Sequence, residues 1–285
     1  MTSTLLIRLA GPLQAWGTLS KFRHRDTDPD RPTKSGVIGL LAAADGHDRS
    51  GTNPAYPDAL PLEILAALRF GIRADRPGVL VRDYHTVGGG RFPIRPRDLI
   101  LDGRRVPAAH LPPESSQPAP FGSFDAPGWY GAPKGIAPDS SGVLQANPAL
   151  RRNGLVTERW YLSDAAFVAA VESDDPELLG RLAERLDHPR RMLWLGRKNC
   201  PPAERLNHGV HEGNLRTVLL STALLPNARE AEPYSWIETG PNEPDSVPVQ
   251  DQPVSFSSRH RVHIQRWERR QRMAITDPII TWEVP

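Results

Sequence analysis

The residue types that suit anion binding are concentrated in one short segment, Arg31-Pro-Thr-Lys-Ser-Gly36. The proline ends the preceding structure, and Thr33, Lys34 and Ser35 then open a helix of small apolar residues that ends near Gly46. Backbone N–H groups, hydroxyls and an ammonium group meet at such a helix start, and this combination binds phosphate. Ordinary capping by Thr33 or Ser35 explains the same pattern, so both interpretations stay open.

Two further segments carry side chains that suit RNA bases. Gln14 and Trp16 follow the first apolar strand, where the amide can hydrogen-bond a base and the indole can stack on one. Burial of Trp16 in the core is the alternative, and the residue type alone favours it. Tyr84 and His85 suit the same contacts. Together with Lys34 they could also form a metal-independent ribonuclease site in which His85 is the general base.

A second cationic turn follows Leu195, where Gly196 precedes Arg197 and Lys198. The glycine would let the backbone approach a phosphate closely, and the two cations would neutralise its charge. A solvated surface turn is the alternative. Although the net charge is only +2, residues 259–272 contain six arginines and one acid, while residues 229–251 are acidic. The basic segment supplies weaker candidates for phosphate contacts: Arg259, Arg261 and Arg266.

The sequence lacks the motifs that several other functions require. Neither a dinucleotide-binding glycine motif nor a Walker loop occurs. Cys200, His208 and His211 are spaced unlike zinc ligand pairs, and no fourth ligand is obvious, so neither a metal nor another cofactor is predicted. A single cysteine excludes an internal disulfide and is typical of the cytoplasm. The longest apolar run, Val37–Ala44, is too short to span a bilayer.

The elements that must position these residues follow from hydrophobic periodicity. The predicted order is a strand at 4–10, a helix at 33–45, strands within 62–74 and 79–87, a bent strand or strand pair at 157–171, a helix at 175–186 and a strand at 191–195. This order approximates the βαββαβ pattern of ferredoxin-like RNA-binding modules. Two further strands are predicted at 218–225 and 260–267.

The segment 88–154 interrupts this pattern. It holds 11 of the 30 prolines, little periodicity and several aromatic residues, which favours an extended arm that docks on a partner. The predicted fold class is therefore α+β. The ferredoxin-like pattern occupies 1–87 and 155–196, and the extended arm is inserted at 88–154.

Six motifs occur in an order that resembles one known family. They are Leu9–Gly17, Pro32–Ala44, Asp83–Val87, Tyr161–Phe167, Leu195–Pro202 and Pro253–Phe256. This series is similar to that of the CasD family, the type I-E CRISPR Cascade subunits of the RAMP superfamily. The resemblance covers the chain from its first strand to its C-terminal region.

The resemblance implies a ferredoxin-like (RRM-like) domain at 1–87 and 155–196, a thumb inserted at 88–154 and a smaller β-rich domain at 197–285. It also implies a cytoplasmic, non-catalytic subunit that binds the 5′ handle of the CRISPR RNA and caps the backbone filament. Implied partners are the crRNA, the CasC backbone subunit, the large CasA subunit and other Cascade subunits, with no membrane. A different subunit, CasE, cuts the precursor RNA in type I-E systems. Because related I-C proteins cleave the repeat, a metal-independent endoribonuclease is the alternative. Asp45 stands where the family usually has leucine, which predicts an exposed helix end.

Overall fold

A computed structural model describes residues 2–17, 20–21, 24–48, 53–87, 90–91, 151–152, 155–257 and 260–282. Its strands are β1 (Ser3–Gln14), β2 (Ser20–Lys21), β3 (His24–Arg25), β4 (Arg69–Arg76), β5 (Val79–Val87), β6 (Gly90–Arg91), β7 (Arg151–Arg152), β8 (Leu155–Ser173), β9 (Asn207–Glu212), β10 (Tyr234–Thr239), β11 (Ser246–Ser255) and β12 (Val262–Arg272). Its helices are α1 (Lys34–Asp45), α2 (Leu62–Ala67), α3 (Pro176–Asp187) and α4 (Leu215–Ser221).

The fold is mixed α/β, and most of its strands form one mostly antiparallel sheet. Its main path runs in the order β11-β12-β10-β4-β8-β1-β9. The long strand β8 lies between β1 and β4, with Ser3 opposite Ser173 and Phe70 opposite Val171. The predicted bent strand is thus one element, and Asp164 takes a positive φ of 55° near its middle. The antiparallel sheet brings the beginning and the middle of the chain together.

Both faces of the central strands are buried, and the period-two alternation of side chains divides their residues between two cores. Leu5, Ile7 and Leu9 of β1 point into a core shared with α1 and α3. Leu6 and Ala10 point to the opposite face, into a second core. That second core also contains α4 residues and residues of the C-terminal segment, among them Val218, Leu219, Met273 and Trp282. Helices therefore cover one face of the sheet, and α4 with the C-terminal segment covers the other.

The two longest helices begin and end at the residues that local chemistry predicts. Thr33 caps α1 by accepting the Gly36 N–H, and Gly46 ends it in the left-handed region at φ 94°. Asp175 caps α3 by accepting the N–H groups of Glu177 and Leu178, directly before Pro176 in the first turn. Both predicted helices are confirmed, because their signals involve residues within one turn of each other.

Two of the predicted strands are wrong. Residues 218–225 were expected to pair, but Leu215–Ser221 forms α4, which Asn214 caps by accepting the Thr217 N–H. Leu215, Val218 and Leu219 place a buried stripe at helical spacing, which a short apolar run does not distinguish from a strand. Residues 191–195 form no strand either. The position beside β1 belongs instead to β9, since pairing depends on contacts distant in sequence.

The expected exposure of Asp45 is also wrong. Its side chain is fully buried at the end of α1. The carboxylate receives Nη2 of Arg181 at 2.8 Å and the N–H of Leu60 at 2.6 Å. A buried carboxylate requires such partners, and α3 supplies the guanidinium. Asp45 therefore joins two helices instead of marking a solvated helix end.

The chain divides into two compact units, 1–83 with 159–285 and 84–158. In the second unit, β6 and β7 pair, with Gly90 opposite Arg152. Most of the predicted thumb, residues 92–150, lies outside the described residues. The three-domain division made from the sequence stays a prediction. Within the described ranges, no helix is long and apolar enough to cross a membrane.

Candidate nucleic-acid interface

Gln14 and Trp16 lie in the core of the first unit. The Gln14 amide donates to the carbonyls of Leu9 and Ala165 at 2.9 and 2.8 Å, and its Oε1 accepts the Trp16 indole N–H at 2.9 Å. Trp16 is 1% exposed. Every polar group of this pair is thus used within the chain. The predicted contacts of Gln14 and Trp16 with bases do not hold for this structure, and the alternative of a core position describes both residues.

The start of α1 is also occupied by the chain itself. Lys34 is 1% exposed, and its ammonium contacts both carboxylate oxygens of Glu238, the nearer at 2.9 Å. Its main-chain N–H donates to Oδ2 of Asp251 at 2.7 Å. Thr33 caps the helix, and its Oγ1 lies 3.3 Å from that of Ser35. A carboxylate therefore lies where the sequence predicted a phosphate, and the phosphate contacts expected of Thr33, Lys34 and Ser35 are replaced by capping and ion pairing.

Arg266 is part of the same buried network and not of a phosphate groove. Its guanidinium binds Asp251, with Nε at 2.5 Å from Oδ1, and binds Glu268 at 2.7 Å. Arg31 pairs with the other oxygen of Glu268. Burial alone would raise the pKa of Asp251. The hydrogen bond and charge of Arg266 outweigh that effect and hold this pKa below its usual range. Desolvation lowers the pKa of Lys34, which Glu238 opposes. The predicted Arg266 contact is therefore corrected.

The turn at Gly196 is built against the chain's own backbone. Gly196 has a φ of 90°, and a Cβ there would lie 1.8 Å from the Ala15 carbonyl oxygen. The Ala15 N–H donates to the Leu195 carbonyl at 3.0 Å. The glycine thus permits a close contact between backbone segments, and the close approach is not to a ligand. The turn nevertheless leaves Lys198 exposed, as predicted for a surface turn.

Arg197 joins that turn to a buried aromatic ring. Its guanidinium donates to the carbonyls of Trp160 and Asp26 at 3.1 and 3.2 Å, and it lies 4.8 Å from the centre of the Tyr161 ring. Trp160 precedes Tyr161 in β8 and therefore faces the opposite side of the strand. There the Arg82 guanidinium lies 6.0 Å from the centre of the half-buried Trp160 ring. We name this group the Trp160 cluster, which comprises Arg82, Trp160, Tyr161, Arg197 and Lys198.

Three members of the Trp160 cluster were missed by sequence reasoning. Arg82 and Trp160 lie on neighbouring strands β5 and β8, and the pairing of these strands brings them together. The aromatic residues Trp160 and Tyr161 were interpreted only as strand residues. Arginines next to aromatic rings are typical of surfaces that bind single-stranded nucleic acid. The sequence did contain one signal for this surface, the run Arg159-Trp-Tyr161, in which a cation precedes two aromatic residues.

The remaining predicted contacts are distributed over the molecule. Tyr84 and His85 belong to the second unit, where both side chains are exposed, Tyr84 at 56%. Arg261 is exposed in the first unit, and Arg259 lies outside the described residues. The Lys34 ammonium is buried on Glu238, so its expected part in a ribonuclease site does not hold. Tyr84 and His85 are the exposed residues of that predicted site.

Near position 200, Cys200 is buried, whereas His208 and His211 are half-buried. Burial raises the pKa of the Cys200 thiol to about 11. Burial, with the charges of Arg8 and Arg205, lowers the pKa of His208 to about 4, and its ring packs edge-on against Trp282 at 4.1 Å. Among the described residues, no group of three His, Cys, Asp or Glu side chains is arranged to hold a metal ion.

Comparisons with known proteins agree with one another. A relative from Escherichia coli (strain K12), "CRISPR system Cascade subunit CasD", is 29% identical over 228 residues, which cover 79% of this chain and 77% of the relative. Two solved structures, "Crystal structure of Cas protein" and "CRISPR RNA-guided surveillance complex", are 30% and 25% identical, each with a TM-score of 0.59. They cover 96% and 98% of this chain and 97% and 93% of their own. The family model for CRISPR-associated protein (Cas_Cas5) matches residues 4–270. With its mixed α/β fold and its mostly antiparallel sheet, the chain belongs to this Cas5 family of CRISPR-associated proteins.

Proposed function

We propose that this protein is a non-catalytic subunit of a CRISPR Cascade complex that binds the 5′ handle of the crRNA and caps one end of the backbone filament. Its partners in this proposal are the crRNA, the CasC and CasA subunits and other Cascade subunits. Membership of the Cas5 family and likeness to an E. coli protein named as a Cascade subunit support the role. The observation that carries RNA binding is the Trp160 cluster.

The Trp160 cluster combines the two kinds of group that single-stranded RNA requires. Lys198 is exposed and forms no ion pair with any described residue, so its ammonium can approach a phosphate. Trp160 offers a half-buried ring beside the Arg82 guanidinium, and both present flat faces to a base. Arg197 is held by two carbonyls, which fixes the direction of its charge. Rigid placement of these groups lowers the ordering cost of binding.

The exposed Tyr84 and His85 provide further contacts in this proposal. Both side chains belong to the second unit. An exposed tyrosine ring can stack on an unpaired base, and the histidine can hydrogen-bond a base edge. Arg261, which is exposed on the C-terminal part of the chain, adds positive charge. These residues retain the roles expected from the sequence, whereas the buried residues around Trp16 and Lys34 act as the support.

The proposal includes a ferredoxin-like arrangement of the first unit. The elements β1, α1, β4, β8, α3 and β9 follow the βαββαβ order, and their strands lie in the order β9-β1-β8-β4. Many modules of this class bind RNA on the open face of the sheet. Here α4 and the C-terminal segment cover that face, with Leu219 and Trp282 in the second core. RNA binding is accordingly assigned to the Trp160 cluster on β5, β8 and the Gly196 turn, and not to the covered sheet face.

The direct test is the affinity of the purified protein for a fluorescent single-stranded RNA of the CRISPR repeat's 5′ handle. Lys198→Glu and Trp160→Ala should each weaken binding by about fivefold or more, since a stacked base is worth about 1–3 kcal/mol. Arg216→Glu is the matched control, because Arg216 is exposed on α4 and forms no ion pair within the described ranges. Equal affinity of all three variants and the unsubstituted protein would refute RNA binding by this cluster.

A metal-independent endoribonuclease is the second candidate, and the exposed imidazole of His85 is the observation that favours it. A general base must be accessible to the 2′-hydroxyl that it deprotonates. Incubation with repeat RNA in EDTA distinguishes the two functions. Site-specific cleavage that disappears in His85→Ala supports the enzyme, whereas intact RNA over the same period supports the binding subunit.

A further inference from the structure

Strands β10 and β12 carry a second group of stacked arginine and aromatic side chains. Tyr234 lies opposite Arg272, and Trp236 lies opposite Arg270, so the four side chains share one face of the sheet. The Arg270 guanidinium carbon lies 3.9 Å from the centre of the Tyr234 ring and 5.4 Å from that of Trp236. Arg272 lies 4.1 Å from the same Tyr234 ring. We name this group the Tyr234 cluster.

The charges within the Tyr234 cluster differ in their availability. Arg272 pairs with the Glu230 carboxylate and donates to the Glu232 carbonyl at 2.9 Å. Arg270 is exposed and lies over the two aromatic rings. It pairs with no carboxylate of the described residues. Trp236 is buried beneath it, and Tyr234 is half-buried. The cluster therefore presents one uncompensated guanidinium, held flat on an aromatic support.

A guanidinium in this position suits a particular class of ligand. Its outer face can stack on a flat ring, while its N–H groups can reach an anionic oxygen, and it is less strongly hydrated than an ammonium. Nucleotides carry a flat base and a phosphate in adjacent positions. An acidic protein segment offers the charge but not the ring. The chemistry therefore favours single-stranded nucleic acid over a protein partner.

The Tyr234 cluster is linked to the Trp160 cluster within the first unit. Arg197 donates to the Asp26 carbonyl at 3.2 Å, and the chain from there leads to Arg31, whose guanidinium lies 5.6 Å from the centre of the Trp236 ring. The five peptide units between Asp26 and Arg31 span at most about 18 Å. A short single strand is long enough to contact both clusters.

We propose that Arg270, supported by Tyr234 and Trp236, is a second contact for the same RNA strand that the Trp160 cluster binds. Arg270 stacks on one base and neutralises one phosphate. This inference rests on the proposed RNA-binding function. It assigns the bases and phosphates beyond the Trp160 cluster to the β10 and β12 surface. The sequence analysis expected the basic segment 259–272 to supply phosphate contacts only through Arg259, Arg261 and Arg266.

The test measures the affinity of the full chain for fluorescent 5′-handle RNA at several salt concentrations. Arg270→Ala should weaken binding by about fivefold and lower the slope of log K against log salt by about 0.7, the value for one phosphate contact on a single strand. Arg270→Lys should keep the salt slope but bind more weakly than the unsubstituted protein. Arg216→Ala, another exposed arginine without an ion pair, should leave both quantities unchanged.

The possible failures are distinguishable. If Arg270→Ala binds like Arg216→Ala while Trp160→Ala loses affinity, the second contact is refuted and the proposed function survives. If all three variants bind like the unsubstituted protein, both proposals fail. If Arg270→Ala binds RNA normally but no longer joins the Cascade subunits, the cluster contacts a protein and the inference is overturned. Unchanged thermal unfolding of Arg270→Ala is expected and shows that any lost affinity is not lost folding.

Discussion

The main-chain N–H of Lys34 donates to Oδ2 of Asp251 at 2.7 Å, across a separation of 217 residues. Strand β11 thereby supplies the anion at the positive end of α1. The same carboxylate receives Nε and Nη2 of Arg266 at 2.5 and 3.1 Å. One aspartate thus joins the first helix of the chain to the last two strands of the sheet.

Replacing Asp251 should destabilise the fold more than replacing an exposed aspartate. Asp251→Asn removes one of the two carboxylates that pair with the buried Arg266, leaving Glu268, and weakens the bond to the Lys34 N–H. Breaking a buried pair costs about 3–5 kcal/mol. The free energy of unfolding in urea should therefore fall by about 3 kcal/mol. Asp245→Asn is the control, since Asp245 is exposed and asparagine tolerates its φ of 57°. Equal unfolding midpoints for the two variants would contradict this role of Asp251.

Stability should decrease as the pH falls below about 6.5, in part because of His208. Burial, Arg8 and Arg205 lower its pKa from 6.5 to about 4 in the folded chain. Between these values the unfolded state binds a proton that the folded state does not, so protonation favours unfolding. Thermal unfolding from pH 7 to pH 4 should show a smaller loss in His208→Phe than in the unsubstituted protein. The control His188→Asn alters an exposed histidine and should keep the original pH profile.

A methyl group at Gly196 should be costly. Gly196→Ala places a Cβ at a φ of 90° and 1.8 Å from the Ala15 carbonyl oxygen, so the turn must move. We expect a loss of about 2 kcal/mol in the free energy of unfolding, in the range of other strained backbone positions. Gly180→Ala in α3 is the matched control, because no atom lies within 4 Å of its added Cβ. That variant should gain about 0.5–1 kcal/mol, as alanine does in helices. A neutral Gly196→Ala would show that the turn is not tightly packed.

The thiol of Cys200 should react slowly in the native protein. The side chain is buried, and desolvation raises its pKa to about 11, so the reactive thiolate is scarce at pH 8. Alkylation by iodoacetamide should proceed at least tenfold more slowly in buffer than in 6 M urea. The reason is that a rise in the thiol pKa from 9.0 to about 11 lowers the thiolate population at pH 8 by more than tenfold. Mass spectrometry of timed samples measures both rates. Similar rates in the two solvents would contradict the burial of this residue.

Features that depend on neighbouring residues in sequence were predictable. The Gly46 end of α1 occurs as expected, and of the two candidates for each helix start, Thr33 or Ser35 and Asp174 or Asp175, the caps are Thr33 and Asp175. These signals require contacts within a single turn. The apolar residues of strands β1 and β8 can also be identified in the sequence, and in the structure they are buried on both faces of the sheet. The order of the six motifs was enough to indicate the family to which the chain belongs.

Features that depend on distant residues were not predictable. The short apolar run at 218–225 was assigned to a strand, but packing of Leu215 and Leu219 on the sheet makes it helical. Asp45 was expected at the surface, whereas Arg181, 136 residues later, accommodates its charge in the interior. Arg82 and Trp160 seemed unrelated until the pairing of β5 and β8 brought them into contact.

The sequence by itself determined the helix ends, the apolar character of the central strands and the CRISPR-associated family of this protein. Only the tertiary structure decided which cations are available to a ligand. Lys34, Arg31 and Arg266 look basic in the sequence, but Glu238, Glu268 and Asp251 neutralise them in the interior. A buried charge must have a partner, and that partner comes from a distant strand, so local patterns cannot distinguish a buried ion pair from an exposed cation.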